Sequence, residues 1–187
     1  MKGPSYCLFE TSFGVCGLVW TTPPLASPAI KHFLLPESTV EIILAKIAGL
    51  CGGILPGVPP PWINELIARI RSHFQGILQN FDDILVDLEQ VGSFSRKVYV
   101  VARTISAGET ATYGDLARAV GSPGAARAVG GALGRNPVPL IIPCHRVVSS
   151  GNRPGGFSAH GGVTTKIALL AGEGVALRRR SSGRRGA

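Results

Sequence analysis

Ile142-Pro143-Cys144-His145-Arg146-Val147 places a thiol and an imidazole side by side, directly behind the proline-spaced run Asn136-Pro137-Val138-Pro139-Leu140-Ile141. Each proline fixes its own φ and biases the residue before it towards extended backbone. Leu140 to Ile142 form a short apolar, β-prone segment, so the sequence predicts that Cys144 leaves a buried, rigid strand. A rigid mount suits a nucleophile, because its orientational freedom is lost before the reaction begins. Free cysteine is also among the most buried residue types, so a purely structural thiol competes with the chemical reading. The adjacent histidine and the proline frame favour chemistry.

Composition bounds what surrounds this stretch. The chain has 187 residues, enough for one large domain or two small ones, and its 45% hydrophobic and 16% charged content is that of a globular protein. Gly, Pro and charges interrupt every apolar run before the roughly 18 residues of a membrane span, and no basic-then-apolar leader stands out. The expectation is a cytoplasmic protein (intracellular, or nuclear if eukaryotic) with no membrane partner. Cys7, Cys16, Cys51 and Cys144 form no CxxC pair, which predicts reduced thiols, no disulfide framework and no metal site. Charge is uneven: residues 1–93 hold 5 Lys/Arg against 8 Asp/Glu, residues 94–177 hold 9 against 3, and 178–187 add 5 arginines. A basic half that carries the candidate site is the electrostatic footprint of a nucleic-acid binder.

Upstream of the basic half, Cys7–Phe9, Phe13–Trp20 and Ala29–Leu35 read as strands. Ser38-Thr39-Val40-Glu41 has the form of a capping box and predicts a helix over 39–50. Cys51 to Pro61 reads as loop, and Trp62, Leu66, Ile70, Phe74 and Ile77 mark a second amphipathic helix. Ile84, Val86 and Leu88 alternate with charge and predict a further strand. This half looks like a small α/β unit without chemistry, with His32 and His73 as surface or core-edge residues rather than ligands. After Gly92 the pattern turns helical: Phe94, Val98, Val101, Ala102 and Ile105 predict a helix capped by Ser93. Thr112 and Asp115 form a carboxylate variant of the capping box before a short helix ending at Gly121. Ser122-Pro123 then starts a helix that Gly134 stops.

Two short helices across a tight Gly-Ser turn form a helix-turn-helix pattern. The second, Gly124-Ala125-Ala126-Arg127-Ala128-Val129-Gly130-Gly131-Ala132, is nearly all Ala and Gly with one cation. Each internal glycine costs a helix about 1 kcal/mol relative to Ala, so close approach of another surface should compensate. Tight helix–helix packing would do so. A smooth helix in a narrow groove of DNA, with Arg127 projecting, would do so as well. The long polar side chains of a major-groove reader are missing, which favours sequence-independent minor-groove contact.

From about Phe94 to Gly174 the chain strongly resembles the O6-alkylguanine-DNA alkyltransferases, or methylated-DNA–protein-cysteine methyltransferases. The resemblance lies in Thr112-Tyr113-Gly114-Asp115-Leu116-Ala117, Ala125-Ala126-Arg127-Ala128-Val129-Gly130-Gly131-Ala132, Asn136-Pro137-Val138-Pro139 and Pro143-Cys144-His145-Arg146-Val147. The Gly-rich segment before Lys166 and the ending Leu169-Leu170-Ala171-Gly172-Glu173-Gly174 complete it. The N-terminal half is similar only in its α/β rhythm, and the zinc ligands found in that half of some members are not matched. The resemblance implies an α/β, ribonuclease H-like N-terminal domain over 1–92 and no cofactor. It also implies a mainly α, winged helix-turn-helix-like domain over 93–177, and 178–187 reads as a basic disordered tail.

The family's roles, carried onto this sequence, make Cys144 the alkyl acceptor and His145 the base that takes the thiol proton through a water. Glu173 would orient that imidazole, and Asn136 would tie the helices to the site. Tyr113 would donate towards the guanine, the main chain at Cys144 and Val147 would accept from its amino group, and Ser158, Ala159 and His160 would lie on a lid near its O6. Arg127 would fill the gap left by the extruded base, with Ala126, Gly130 and Tyr113 also on the DNA. Ser95 and Tyr99 stand where many members carry Gln and Trp. The implied partner is double-stranded DNA containing O6-alkylguanine, or O4-alkylthymine, bound in the minor groove by a monomer. A non-catalytic lesion binder of the same fold and a Cys-His-Glu hydrolase stay open as alternatives.

Overall fold

The computed structural model describes residues 4–21 and 27–177; the basic tail expected at 178–187 lies outside them. β1 (Ser5–Thr11), β2 (Gly14–Thr21) and β3 (Ala29–Leu34) form an antiparallel sheet in the order β1-β2-β3. Side chains alternate along these strands, so each strand supplies both faces. Val19 and Leu34 pack with Ile43 and Ile47 of α1 (Val40–Cys51) on one face. Cys7, Phe9, Leu18, Trp20, Ile30 and Phe33 face the other way, towards Ile63, Leu66, Ile70 and Phe74 of α2 (Pro61–Phe74). Gly17 permits the close approach of α1: a Cβ there would stand 3.1 Å from Ile43 Cγ2.

The second half is helical around two short parallel strands. It contains α3 (Ser93–Arg103), β4 (Ala111–Thr112), α4 (Tyr113–Ala119), α5 (Ala126–Gly134), a 3-10 turn (Cys144–Arg146), β5 (Val147–Val148) and α6 (Val163–Gly172). β4 pairs with β5, bringing the start of α4 beside the residues that follow Cys144. One buried cluster continues from the sheet and α2 through Val98 and Tyr99 of α3 and Val129 of α5 to Ile141, Cys144 and Leu169. Tyr99 donates from its buried hydroxyl to Ala132 O at 2.9 Å, tying α3 to α5. No helix among the described residues is long and apolar enough to cross a membrane.

Several local expectations need correction. α1 is N-capped by Thr39 without a side-chain bond, so Glu41 falls one position short of the reach a Ser38 capping box needs. α3 takes Gly92 as its N-cap and Ser93 as its first residue. Ile84 to Leu88 is not a strand. Val86 bridges Ile30 once, while Arg103 Nη2 collects the carbonyls of Phe81, Asp82 and Ile84, drawing that backbone away from a ladder. Ile77 lies beyond the end of α2 and is exposed. α5 begins at Ala126 rather than Pro123, because Gly124 has φ +94°, which breaks the helix. The capping box at Thr112 and Asp115 is present in both its bonds.

Candidate active site

Cys144 is delivered by a turn, not by the strand expected at Leu140 to Ile142. Leu140 has φ +73°, a left-handed conformation that a β-strand cannot contain and that costs a branched side chain about 1–3 kcal/mol. The Asn136 side chain holds the turn. Its amide donates to Ile142 O at 2.7 Å and its oxygen accepts from Val138 N at 3.0 Å. Ile142 N also returns to Val138 O at 2.9 Å, closing the loop on itself. The 3-10 turn then starts at Cys144, and its exit is fixed by pairing of β5 with β4. Cys144 is buried as expected, although the backbone that carries it is different.

Behind the thiol lies a buried charge network centred on Glu173, at the C-terminal end of α6. Oε1 of Glu173 meets Nε2 of His145 at 3.0 Å and Nε2 of His73, from α2, at 3.0 Å. Arg146 donates from Nε to both carboxylate oxygens, at 3.1 and 3.0 Å, and from Nη2 to Oε1 at 2.8 Å. Gly108 N–H adds a bond to Oε2 at 3.3 Å, and Arg146 Nη1 donates to Ile105 O. Burial alone would raise the Glu173 carboxyl, but the bonds from His145, His73 and Arg146 outweigh it and hold the group far below the usual carboxylate range. An ionised Glu173 accepts, so the neutral His145 ring carries its proton on Nε2. Nδ1 of His145 is buried and takes no hydrogen bond among the described residues. Burial lowers the His145 pKa, Glu173 opposes this, and Arg146 and His73 reinforce it. His145 is thus a neutral base with its lone pair free.

The thiol itself is poised to need that base. Burial raises the Cys144 pKa, against lowering by the Asn136 side chain, the Lys166 charge and backbone N–H groups. Lys166 of α6 is fully buried and donates to Val147 O, to Gly156 O at 3.2 Å and, more distantly, to Tyr113 Oη at 3.5 Å. Burial pushes its ammonium down to about 8, with the Cys144 charge opposing. Tyr113 donates to Gly156 O at 3.3 Å, and burial raises its phenol. At Gly155, φ +71°, a Cβ would stand 2.9 Å from Tyr113 Cε2, so only glycine lets the loop pass over this ring.

A cavity of about 390 Å³ opens onto Cys144, lined by Tyr113, Ala126, Gly130, Leu133, Phe157 and Ser158 among others. Its size falls in the range of small-molecule sites. Ala126 and Gly130 are one helical turn apart on α5 and form one wall. Arg127 beside them is exposed, and among the described residues it makes no ion pair. A second groove of about 310 Å³ also reaches Cys144, between Ser158, Ala159 and the residues His32 to Leu35 of the sheet half. His160 lines neither space and faces solvent, with Nδ1 3.8 Å from Glu37. The Val147 carbonyl, expected to face a guanine amino group, is the one that receives Lys166. Among the described residues no group of three His, Cys, Asp or Glu side chains could hold a metal ion.

Cys144, His145, Glu173, Asn136, Tyr113, Val147, Ser158, Ala126 and Gly130 therefore converge, while Arg127 is exposed on α5 next to Ala126 and lines neither space. Three buried residues escaped the sequence reading, Arg146 of the quoted motif among them. His73 is no core-edge residue, and Lys166 served there only as a landmark in the resemblance. His73 and Lys166 carried a signal: His73 shares a helical face with Leu66, Ile70 and Phe74, and Lys166 shares one with Leu169 and Leu170. A polar side chain on a buried stripe needs a partner, and here the partners are catalytic candidates.

Comparison with known proteins places this geometry. Residues 93–175 match the family model described as 6-O-methylguanine DNA methyltransferase, DNA binding domain. The methylated-DNA–protein-cysteine methyltransferase of Methanothermobacter thermautotrophicus is 43% identical over 120 residues, 64% of this chain and 65% of that protein, just short of two thirds of its length. That of Methanosarcina acetivorans is 37% identical over 124 residues, 63% of this chain and 76% of the relative. Mycobacterium tuberculosis OGT, solved in complex with DNA, superposes with a TM-score of 0.69 at 30% identity, covering 90% of this chain and 92% of that one. The mixed α/β architecture with its helical second half is that of these structures. On sequence and fold together, the chain belongs to the methylated-DNA–protein-cysteine methyltransferase family.

Proposed function

We propose that this protein repairs DNA by taking the alkyl group of O6-alkylguanine, and of O4-alkylthymine, irreversibly onto Cys144. The observation that carries the reading is the junction of three features at one sulfur. They are a cavity open to Cys144, a neutral His145 with a free Nδ1, and the ionised Glu173 behind it. The Cys144 proton passes through a water to Nδ1 of His145, and Glu173 stabilises the imidazolium that results. The thiolate then attacks the O6-bound carbon in line. The S–C bond forms, the C–O bond breaks, and its electron pair returns to the guanine; Tyr113 donates a proton to the base, and the proton held at His145 returns through water to restore the phenol. The product is a thioether, which has no easy hydrolytic exit, so each molecule turns over once.

A stacked base keeps the alkyl carbon out of reach of any protein thiol, so the nucleotide must be extruded, at a few kcal/mol. Ala126 and Gly130 give α5 a smooth wall towards the minor groove, Arg127 fills the vacated stack, and the segment with Ser158, Ala159 and His160 closes over the base. The main chain at Cys144 and Val147 accepts from the guanine amino group, with the second lone pair of Val147 O still available beside Lys166. In this reading α4 and α5 are the helix-turn-helix of a winged domain over 93–177. Residues 1–92 are a ribonuclease H-like domain, and the arginines of 178–187 add phosphate contacts. The protein acts as a monomer inside the cell, or in the nucleus of a eukaryote, without a cofactor.

The test is incubation with duplex DNA carrying O6-methylguanine, followed by peptide mass analysis. The expected result is a Cys144 peptide heavier by one methylene and no more repaired base than protein, with Cys144→Ala binding DNA but taking no methyl. DNA bound without any adduct would make the chain a lesion binder. Product in excess of protein would point to a hydrolase, and an adduct on Cys7, Cys16 or Cys51 would overturn the acceptor assignment.

A further inference from the structure

His73 belongs to the sheet half of the chain, 100 residues away from Glu173 in sequence, yet it reaches the same carboxylate oxygen as His145. Its ring is 3% exposed, with Phe74 and Phe81 against its sides at centroid distances of 6.2 and 5.7 Å. Nδ1 accepts from Gln79 N–H at 3.2 Å, so the neutral ring carries its proton on Nε2 and donates to Glu173 Oε1. Two imidazoles therefore share one acceptor atom. Donors on a common oxygen compete, because each draws electron density that the other would use. The geometry points to His73 as a positioning residue for alkyl transfer, one that fixes Glu173 from the N-terminal half and tempers the hold of Glu173 on a proton at His145.

This role rests on the reading of Cys144 as the acceptor, and it has two consequences. Without the His73 donor the carboxylate loses one of its anchors, and the orientation of His145 becomes less well defined. The oxygen also becomes richer in electrons and stabilises the His145 imidazolium more strongly, so the ring stays protonated to higher pH and is unable to accept from Cys144. The charged and titratable groups around the pair are Glu173 from α6, Arg146, His145 and Cys144 from the 3-10 turn, and Lys166, whose charge acts through Cys144. Arg146 holds both oxygens of the carboxylate through bonds that do not involve His73, so the effect of His73 is separable.

Single-turnover transfer from methylated duplex DNA, followed from about pH 5 to 8 where histidine changes charge, tests the role in the full chain. His73→Asn keeps an acceptor for Gln79 N–H but is too short to reach Glu173, whereas the longer amide of His73→Gln restores a donor at that distance. In His73→Asn we expect the acid limb to move up by about half a pH unit or more. Its plateau should fall about tenfold, the scale on which orienting partners of a functional histidine act. His73→Gln should recover most of both, and DNA affinity should be unchanged in either. A lower melting temperature with an unmoved acid limb would make His73 structural only and overturn the proposal. A second measurement needs no DNA: the imidazole ¹⁵N titration of His145 by NMR should shift upward in His73→Asn and also in His73→Phe. An unshifted titration overturns the coupling even if the rates change. If the parent protein takes no alkyl group at all, the acceptor reading fails and the proposed role in transfer falls with it, while the NMR arm still decides whether His73 and His145 are coupled through Glu173.

Discussion

At Cys144 the surroundings keep the sulfur protonated at rest, since burial outweighs Asn136, Lys166 and the backbone donors. In the proposed mechanism the thiolate forms when His145 takes that proton. Arg127 poses the opposite case, a residue with an open environment. A phosphate clamp there would tolerate Arg127→Lys, whereas a stack-filling residue needs the planar guanidinium that lysine lacks. Losing that filler leaves the few kcal/mol of unstacking uncompensated, which slows transfer roughly a hundredfold at about 1.4 kcal/mol per tenfold. We therefore expect Arg127→Lys to be nearly as slow as Arg127→Ala on duplex DNA, and both to recover on the free alkylated base. Transfer rates on the two substrates decide it, and a Lys variant as fast as the parent on duplex DNA would leave Arg127 a clamp.

Helix α5 carries three glycines, Gly130, Gly131 and Gly134, that its own packing does not require. A Cβ at Gly130 would meet Tyr113 Cε1 at 3.8 Å and one at Gly131 would meet Arg135 at 3.6 Å, ordinary van der Waals distances. Their cost in helix propensity is therefore not offset by packing among the described residues, and the proposed contact of α5 with DNA would offset it. Gly130→Ala should raise stability by up to about 1 kcal/mol, or about 2–4 °C in melting temperature for a chain of this size. The same methyl on the wall facing DNA should slow transfer on duplex DNA about tenfold, ~1.4 kcal/mol. Calorimetry and single-turnover rates read the two effects separately. A stabilised variant with undiminished transfer would remove the groove-contact reading of α5.

Across the whole molecule, the buried network links acid stability to the site. His145 has its pKa lowered by burial, so below its ordinary value of 6.5 the unfolded chain binds a proton that the folded one refuses, and stability falls as pH falls. Glu173 is held far below its ordinary 4.5, so it contributes stability above that value, which is lost as pH drops further. Both act in the same direction. The guanidinium midpoint should therefore decline from pH 7 towards 5 and more steeply below about 4.5. Glu173→Gln should flatten the lower limb, starting from a less stable protein because Arg146 then lies buried without a counter-charge. An equally steep lower limb in that variant would place the acid sensitivity elsewhere.

The sequence by itself determined what local rules can read. The strands at Cys7–Phe9 and Phe13–Trp20, the two helices of the first half and the capping box at Thr112 follow from alternation, helical spacing and a three-residue offset. The motif from Asn136 to Val147 marked the site, because chemistry is concentrated there in neighbouring residues. Tertiary structure decided the rest. The left-handed turn at Leu140 depends on Asn136 satisfying backbone groups that a strand would have paired. The expected strand at Ile84 to Leu88 is reduced to one bridge with Ile30, while Arg103 takes the Ile84 carbonyl and Arg96 that of Leu88. Glu173 gathers His73 from one stretch of chain and His145 with Arg146 from another, and Lys166 meets Gly156 O only because the loop passes over Tyr113. A buried polar group is defined by the partner that repays its desolvation, and periodicity along the chain marks which face is buried without saying what lies opposite.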